Sequence, residues 1–352
     1  MLQPMIEIPA PAQTRLPRST AVKTPRLGFL GLGWIGRHRF SAVAHSNLAE
    51  ICAVADPQTA ATAAAAEAAP GAVQVRELDE LLELELDGIV IATPSALHAA
   101  QAITALEQGL AVFCQKPLAR TAEETQRVLD AARNANRLLA VDFSYRFTRA
   151  VCAVRELIRR GELGKIYDVE MVFHNAYGPD KAWFYEPELS GGGCLIDLGT
   201  HLVDLALWCL DFPPVEKVTG RLLSDGRSLV NPETEAEDFA AAQIQLRGGA
   251  VVQLACSWKA PAGCDARIEA HFYGTEGGAV VRNVNGSFHD FVAEQFLPDR
   301  SHRLLAAPPD DWSGRAVVAW TRRLTEENVF DPEIERVREV AAVLDAIYSR
   351  NA

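Results

Sequence analysis

Residues 26–38 read Arg26-Leu-Gly-Phe-Leu-Gly31-Leu-Gly33-Trp34-Ile35-Gly36-Arg-His. The apolar run from Leu27 to Leu30 predicts a buried strand, Gly31-x-Gly33-x-x-Gly36 a tight turn, and Arg37 to His45 a helix. Each glycine has its own reason. Gly31 permits the turn, Gly33 lets a pyrophosphate approach the backbone, and Gly36 lets helix and strand pack closely. The free N–H groups of the helix N-terminus then face the phosphates. Alone the motif is weak, because glycine-rich turns without a ligand share it. Its context is stronger: a second apolar run, Ile51 to Ala55, ends in Asp56, twenty positions after Gly36. A carboxylate there accepts hydrogen bonds from the adenosine ribose.

Outward from this unit, strand and helix signals alternate to about Asp142. The Ala-rich stretch from Gln58 to Ala69 favours helix, and Leu78 to Leu86 gives another short helical pattern. Gly88 to Ala92 reads as a strand ending in Thr93-Pro94, with Ser95 capping a helix to Gln108. Leu110 to Cys114 is the next strand, ending in Gln115-Lys116-Pro117. Thr121 and Glu124 form a capping box for a helix to Asn136, and Leu138 to Val141 is a further strand. Apolar strands alternating with helices predict a doubly wound parallel sheet.

After Tyr145 the pattern changes. A helix from Arg149 to Arg160 precedes β-type runs at Ile166–His174, Val215–Leu223, Phe239–Leu246 and Val251–Trp258. Ile268–Tyr273, Ala279–Val281 and Ser287–Val292 extend the set, and one helix, Leu195 to Leu210, interrupts it. These runs predict a largely antiparallel sheet with helices on one face. Arg315–Asn328 and Pro332–Arg350 read as closing helices. The domains are therefore placed at 25–145 and 146–352, with residues 1–24 as a loose N-terminal arm lacking the apolar core of a signal peptide.

The 352-residue chain is 49% hydrophobic and 23% charged, with a net charge of −12, which argues against nucleic acid as a partner. No apolar run approaches the roughly 20 residues of a membrane span. Seven dispersed cysteines without Cys-x-x-Cys spacing suit reduced thiols in a cytoplasm.

Three clusters carry chemistry. Thr93-Pro94 and Gln115-Lys116-Pro117 lie at the C-terminal ends of parallel strands, the edge where such sheets bind ligands. The third is Gly191-Gly-Gly-Cys-Leu-Ile-Asp197-Leu-Gly-Thr-His201-Leu-Val-Asp204. On a helix, Asp197 and His201 share one face, and an acid beside a histidine can tune it for proton transfer. A polar helix face and a metal-ligand set are the other readings of this triplet. No second histidine cluster supports a metal, and Asp204 suits a structural hydrogen bond or a surface.

With Gly31 to Gly36, Val54-Ala-Asp56-Pro, Ala92-Thr93-Pro94 with His98, Gln115-Lys116-Pro117-Leu-Ala119 and Gly191 to Asp204 assembled, the chain resembles the Gfo/Idh/MocA family of nicotinamide-dependent oxidoreductases from about Arg26 to Arg350. The resemblance implies an N-terminal Rossmann domain and a C-terminal α+β domain whose open-faced sheet builds homodimers or homotetramers. It implies an NAD-dependent enzyme that moves a hydride between nicotinamide and a secondary alcohol or ketone of a sugar, sugar derivative or cyclitol. Lys116, Asp197 and His201 become the catalytic set, with His201 taking the hydroxyl proton and Lys116 stabilising the alkoxide. Asp197 would bind a substrate hydroxyl, with Tyr145 and Arg146 as further substrate contacts. Gly31, Gly33, Trp34, Ile35, Gly36, Asp56, Thr93, Pro94, His98, Gln115 and Lys116 would surround the cofactor. NAD is expected over NADP, because Asp56 repels a 2′-phosphate and Pro57-Gln58 supply no arginine. An arginine distant in sequence, such as Arg37 or Arg76, could approach. One departure stands out: the family usually has Glu where this chain has Gln115, which keeps a carbonyl acceptor and loses the charge. The same fold also serves non-catalytic regulators and NAD-dependent glycosidases.

Overall fold

A computed structural model describes residues 24–348. The arm expected over residues 1–24 therefore lies outside them except for Thr24, as do residues 349–350 of the helix expected over Pro332–Arg350.

The first half builds β1 (Arg26–Leu30), α1 (Trp34–Ser46), β2 (Glu50–Ala55), α2 (Thr59–Ala68), β3 (Val73–Val75) and α3 (Leu78–Leu82). It continues with β4 (Gly88–Ile91), α4 (Ser95–Glu107), β5 (Ala111–Cys114), α5 (Ala122–Ala135) and β6 (Leu139–Val141). The six strands are parallel in the order β3-β2-β1-β4-β5-β6. This is the doubly wound Rossmann order, and the chain reverses direction across the sheet between β1 and β4, opening a crevice at the strands' C-terminal ends. Leu27, Phe29, Ile89, Ile91, Val112 and Phe113 are buried on both faces of the sheet, which is why these strands carry continuous apolar runs. Thr121 caps α5 as expected, its hydroxyl accepting from the Glu124 N–H. Ser95 does not cap α4: it is the first helical residue, and Pro94, with φ −59°, holds the cap position.

The second half forms α6 (Arg149–Arg159), β7 (Ile166–Asn175), a short α7 (Pro187–Ser190), a π-helical turn at Leu195–Gly199, and α8 (Thr200–Cys209). Then follow β8 (Val215–Ser224), β9 (Arg227–Ser228), β10 (Phe239–Leu246), β11 (Val251–Ser257), β12 (Ala266–Gly274), β13 (Gly278–Asn283), β14 (Phe291–Phe296) and β15 (His302–Ala306). They make a nine-stranded sheet, β15-β14-β13-β12-β7-β11-β10-β8-β9, antiparallel except where β7 meets β11. The expected strand at Ser287–Val292 begins later, at Phe291. The Ser287 hydroxyl accepts from the N–H groups of His289 and Asp290 and donates to the Asp290 carboxylate, so 285–290 is a turn and alternation starts beyond it.

Two closing helices alter the expected partition at 145/146. α9 (Arg315–Glu326) returns to the first domain, where Ala316, Val317, Trp320 and Leu324 pack with Leu27, Phe29 and Phe113. α10 (Val337–Tyr348) joins the two: Val337 enters the first core, while Val340, Val343, Leu344 and Ile347 enter the second. Amphipathic spacing foretold both helices but not which core each one serves.

Candidate active site

The β1–α1 turn is shaped to receive a dinucleotide. Gly31 has φ +90°, and a Cβ there would lie 2.6 Å from the Ala92 carbonyl oxygen. A Cβ on Gly36 would lie 2.1 Å from the Gly31 oxygen, so both glycines are demanded by packing. Gly33 differs: a Cβ there meets nothing within 4 Å. The protein itself does not need that glycine, whereas a pyrophosphate resting on the backbone does. At the end of β2 the Asp56 carboxylate accepts from the Leu32 N–H at 2.8 Å and the Gln58 N–H at 2.9 Å. Each oxygen keeps acceptor capacity for a ribose hydroxyl. Trp34 is 60% exposed at the rim, with its ring 4.5 Å from that of His38, and Ile35 beside it is half-buried.

Across the crevice, the Thr93 hydroxyl donates to Gln101 at 2.6 Å, and Pro94 starts α4. His98 requires a correction. It was expected among the cofactor contacts, yet it is 1% exposed, with Nδ1 2.7 Å from the Pro117 oxygen and Nε2 2.8 Å from the Thr93 oxygen. Neither ring nitrogen remains for a ligand. Burial lowers its pKa, and the residue ties the ends of β4 and β5 together.

Lys116 emerges from β5 and spans to the second domain. Its Nζ donates to Asp197 Oδ1 at 2.9 Å and to the Asp197 backbone oxygen at 2.7 Å. The other carboxylate oxygen, Oδ2, accepts from Trp258 Nε1 at 3.1 Å. Asp197 sits in the π-helical turn, where the Thr200 N–H reaches back to the Leu195 oxygen, so the segment is wider than the regular helix expected. His201 follows in the first turn of α8, its ring 4.8 Å from Tyr145, edge to face. Burial, with help from the charges of Lys116 and Arg39, holds the His201 imidazole well below its usual pKa. It is neutral at pH 7 and can accept a proton. Burial, reinforced by the Asp197 charge, pushes the Tyr145 phenol upward, so it stays protonated.

Arg146 is placed differently from its neighbour. Its guanidinium pairs with the buried Asp204 carboxylate and lies over the rings of Phe143, Trp208 and Phe212. That engagement makes Arg146 a brace for Tyr145 and α8 rather than a free substrate contact, and it gives Asp204 the structural partner its position called for.

Three features were not foreseen. Glu237, fully buried, accepts from the N–H groups of Gly193 and Leu195 and from the Tyr348 hydroxyl. It thereby holds the N-terminal end of the Asp197 segment. Only the triple glycine hinted at it: a Cβ on Gly193 would lie 2.0 Å from the Glu237 carbonyl oxygen. Trp258 fixes Asp197, and Tyr185 and Phe184 gather around it, their ring centroids 5.3 and 6.4 Å from its own. Asp142 and Arg39 form a buried ion pair at the floor of the crevice. No periodicity in the sequence pointed to any of these.

A Rossmann sheet with an open pyrophosphate turn and a lysine at its C-terminal edge, facing a carboxylate and a neutral histidine on a second domain, defines a two-domain nicotinamide-dependent oxidoreductase. Family models agree in both halves: residues 26–143 match the oxidoreductase family NAD-binding Rossmann fold, and residues 151–280 match the GFO/IDH/MocA C-terminal domain. The chain belongs to the Gfo/Idh/MocA family of oxidoreductases. It is 31% identical to inositol 2-dehydrogenase of Rhizobium meliloti (strain 1021) over 74% of this chain and 76% of that protein. It is 29% identical to D-glucoside 3-dehydrogenase of Escherichia coli (strain K12) over 63% of this chain and 68% of that one. The fold resembles levoglucosan dehydrogenase in complex with NADH and L-sorbose, with a TM-score of 0.80, 23% identity, and coverage of 94% of this chain and 97% of that one.

Proposed function

We propose that this enzyme moves a hydride between NAD(H) and a secondary alcohol or ketone of a sugar, sugar derivative or cyclitol. The observation that carries this reading is the convergence of Lys116, Asp197 and neutral His201 at the cleft facing the C-terminal edge of the Rossmann sheet. Gly31, Gly33 and Gly36 with Asp56 would hold the dinucleotide, which supplies a nicotinamide ring that takes up or gives back the hydride. During oxidation an imidazole nitrogen of His201 takes the hydroxyl proton. Lys116 offers positive charge to the alkoxide oxygen as it forms, where low local dielectric strengthens the interaction. Asp197, fixed by Lys116 and Trp258, orients a neighbouring substrate hydroxyl. Tyr185 and Trp258 supply apolar ring surface beside these polar groups, the mixture that positions a polyol.

NAD is favoured over NADP, a reading supported by the Asp56 carboxylate, which two backbone N–H groups hold at the end of β2 where it would meet the adenosine ribose. The open nine-stranded sheet supports a homodimer or homotetramer, and seven unpaired cysteines support a reducing, cytoplasmic setting. Among the described residues no helix is long and apolar enough to cross a membrane. The test is a panel of sugars, sugar phosphates, nucleotide sugars and inositols, followed by nicotinamide absorbance. Absorbance change with a polyol supports the reading. Glycoside cleavage without net NAD consumption, or cofactor binding without any turnover, overturns it.

A further inference from the structure

Gln115 and Asp142 end neighbouring parallel strands. Cys114 of β5 pairs with Val141 of β6, and the Asp142 N–H donates to the Cys114 oxygen at 2.9 Å, so the next residues of the two strands lie side by side. There the Gln115 Nε2 donates to Asp142 Oδ2, and the same oxygen accepts from Arg39 Nε of α1. Arg39, Gln115 and Asp142 are 3%, 8% and 1% exposed. The other Asp142 oxygen has no hydrogen-bond partner. A buried carboxylate with an unsatisfied oxygen is costly, and a pure stability role does not account for it.

An ionised carboxylate only accepts hydrogen bonds, so Asp142 dictates which end of the Gln115 amide faces it. The amide nitrogen is turned towards Asp142, and the carbonyl Oε1 is left on the other side, next in sequence to Lys116. We propose that Asp142, anchored by Arg39, is a positioning residue that fixes Gln115 Oε1 as an acceptor for the ribose hydroxyls on the nicotinamide side of the cofactor. The negative charge missing from position 115 resides one strand away, at position 142, and the amide is the complement that charge requires. This inference rests on the cofactor reading given above.

A consequence runs against simple intuition. Restoring an acid by Gln115→Glu brings two carboxylates together in a buried site, and like charges there repel strongly. Gln115→Glu should weaken NADH binding about ten- to a hundredfold, the range of a lost hydrogen bond to a charged group. Asp142→Asn alone should also weaken it. The double variant Gln115→Glu/Asp142→Asn exchanges donor and acceptor and should return NADH binding to within about threefold of the parent. Binding is measured by NADH fluorescence, with ADP as a second ligand that reaches only the Gly31–Gly36 turn and the Asp56 side. ADP affinity should not change in any variant.

The proposal is overturned if Gln115→Glu binds NADH as tightly as the parent, or if the double variant is no better than the weaker single one. Parallel losses of ADP and NADH binding also overturn it, since they report general damage. If the single variants fail to fold, the double variant must still fold and bind NADH within that threefold window, and weaker binding overturns the inference. A parent protein that binds ADP but not NADH refutes the nicotinamide-side reading itself, whereas any failure confined to the variants refutes only the pairing.

Discussion

Lys116 Nζ lies 2.9 Å from Asp197 Oδ1, an ion pair between residues 81 positions apart that links the end of β5 to the π-helical turn. Both side chains are less than one-fifth exposed, so water screens the pair only partly. Lys116→Ala removes the charge offered to the alkoxide and leaves Asp197 held by Trp258 alone. Turnover should fall about 10²–10⁴-fold while NADH still binds. Steady-state rates paired with a fluorescence titration check this, and parent-like turnover would remove Lys116 from the chemistry. Asp197→Ala should act mainly through a raised KM, with the smaller loss in kcat.

His201→Ala should lower oxidation within the same range of about 10²–10⁴-fold. The pH profile is the sharper test. Burial and the charges of Lys116 and Arg39 depress the folded-state pKa, so His201 stays neutral and competent well below pH 6.5. The acidic limb of the parent's oxidation profile should therefore fall below pH 6.5, and His201→Ala should lose that limb. The stability sign follows from the same shift. Below pH 6.5 the unfolded chain binds a proton that the native state does not, so this residue lowers stability as pH falls from 6.5 towards the folded pKa. Thermal melts of parent and His201→Ala should converge above pH 7 in their pH slopes and diverge between pH 6.5 and 5.

Gly33 and Gly36 should separate binding from folding. Gly33 has φ −60° and open space where a Cβ would stand, so Gly33→Val should fold and melt near the parent yet lose dinucleotide affinity. Gly36→Val drives a side chain into the Gly31 carbonyl and should lower the melting temperature itself. Calorimetric titration and circular dichroism on the two variants distinguish these outcomes.

Asp56→Ala should move cofactor preference towards NADP. Ala55 pairs with Val75, which sets Arg76 beside Asp56 at the ends of adjacent strands. With the carboxylate gone, that arginine becomes a partner for a 2′-phosphate. The ratio of NAD to NADP dissociation constants should rise at least about tenfold. An unchanged ratio would place the determinant elsewhere.

Glu237→Ala leaves three buried donors, the N–H groups of Gly193 and Leu195 and the Tyr348 hydroxyl, without their acceptor. Each unpaired donor costs about 1–3 kcal/mol, so the variant should be severely destabilised. Tyr348→Phe removes one hydrogen bond and should cost about 1 kcal/mol, with turnover reduced less than in any site variant. Urea denaturation gives both values.

What the sequence determined by itself were the features encoded over short range. Gly31, Gly33, Gly36 and Asp56 specify a strand, a turn, a helix and an acid within thirty-one residues, and the apolar strand runs specify a parallel sheet. Lys116, Asp197 and His201 were legible because strand ends and helix faces are periodic. Tertiary structure decided everything that depends on which distant side chain arrives at a given atom. His98 turned out to be a buried tie because two carbonyls converge on it, and Arg146 a brace because Asp204 lies within its reach. Glu237 meets Gly193 across 44 positions, and α9 returns to the first core, because packing rather than propensity sets those distances. The pairing of Gln115 with Asp142 belongs to this second kind. Neither residue announces it, since a hydrogen bond between strand ends exists only once the register of β5 on β6 is set.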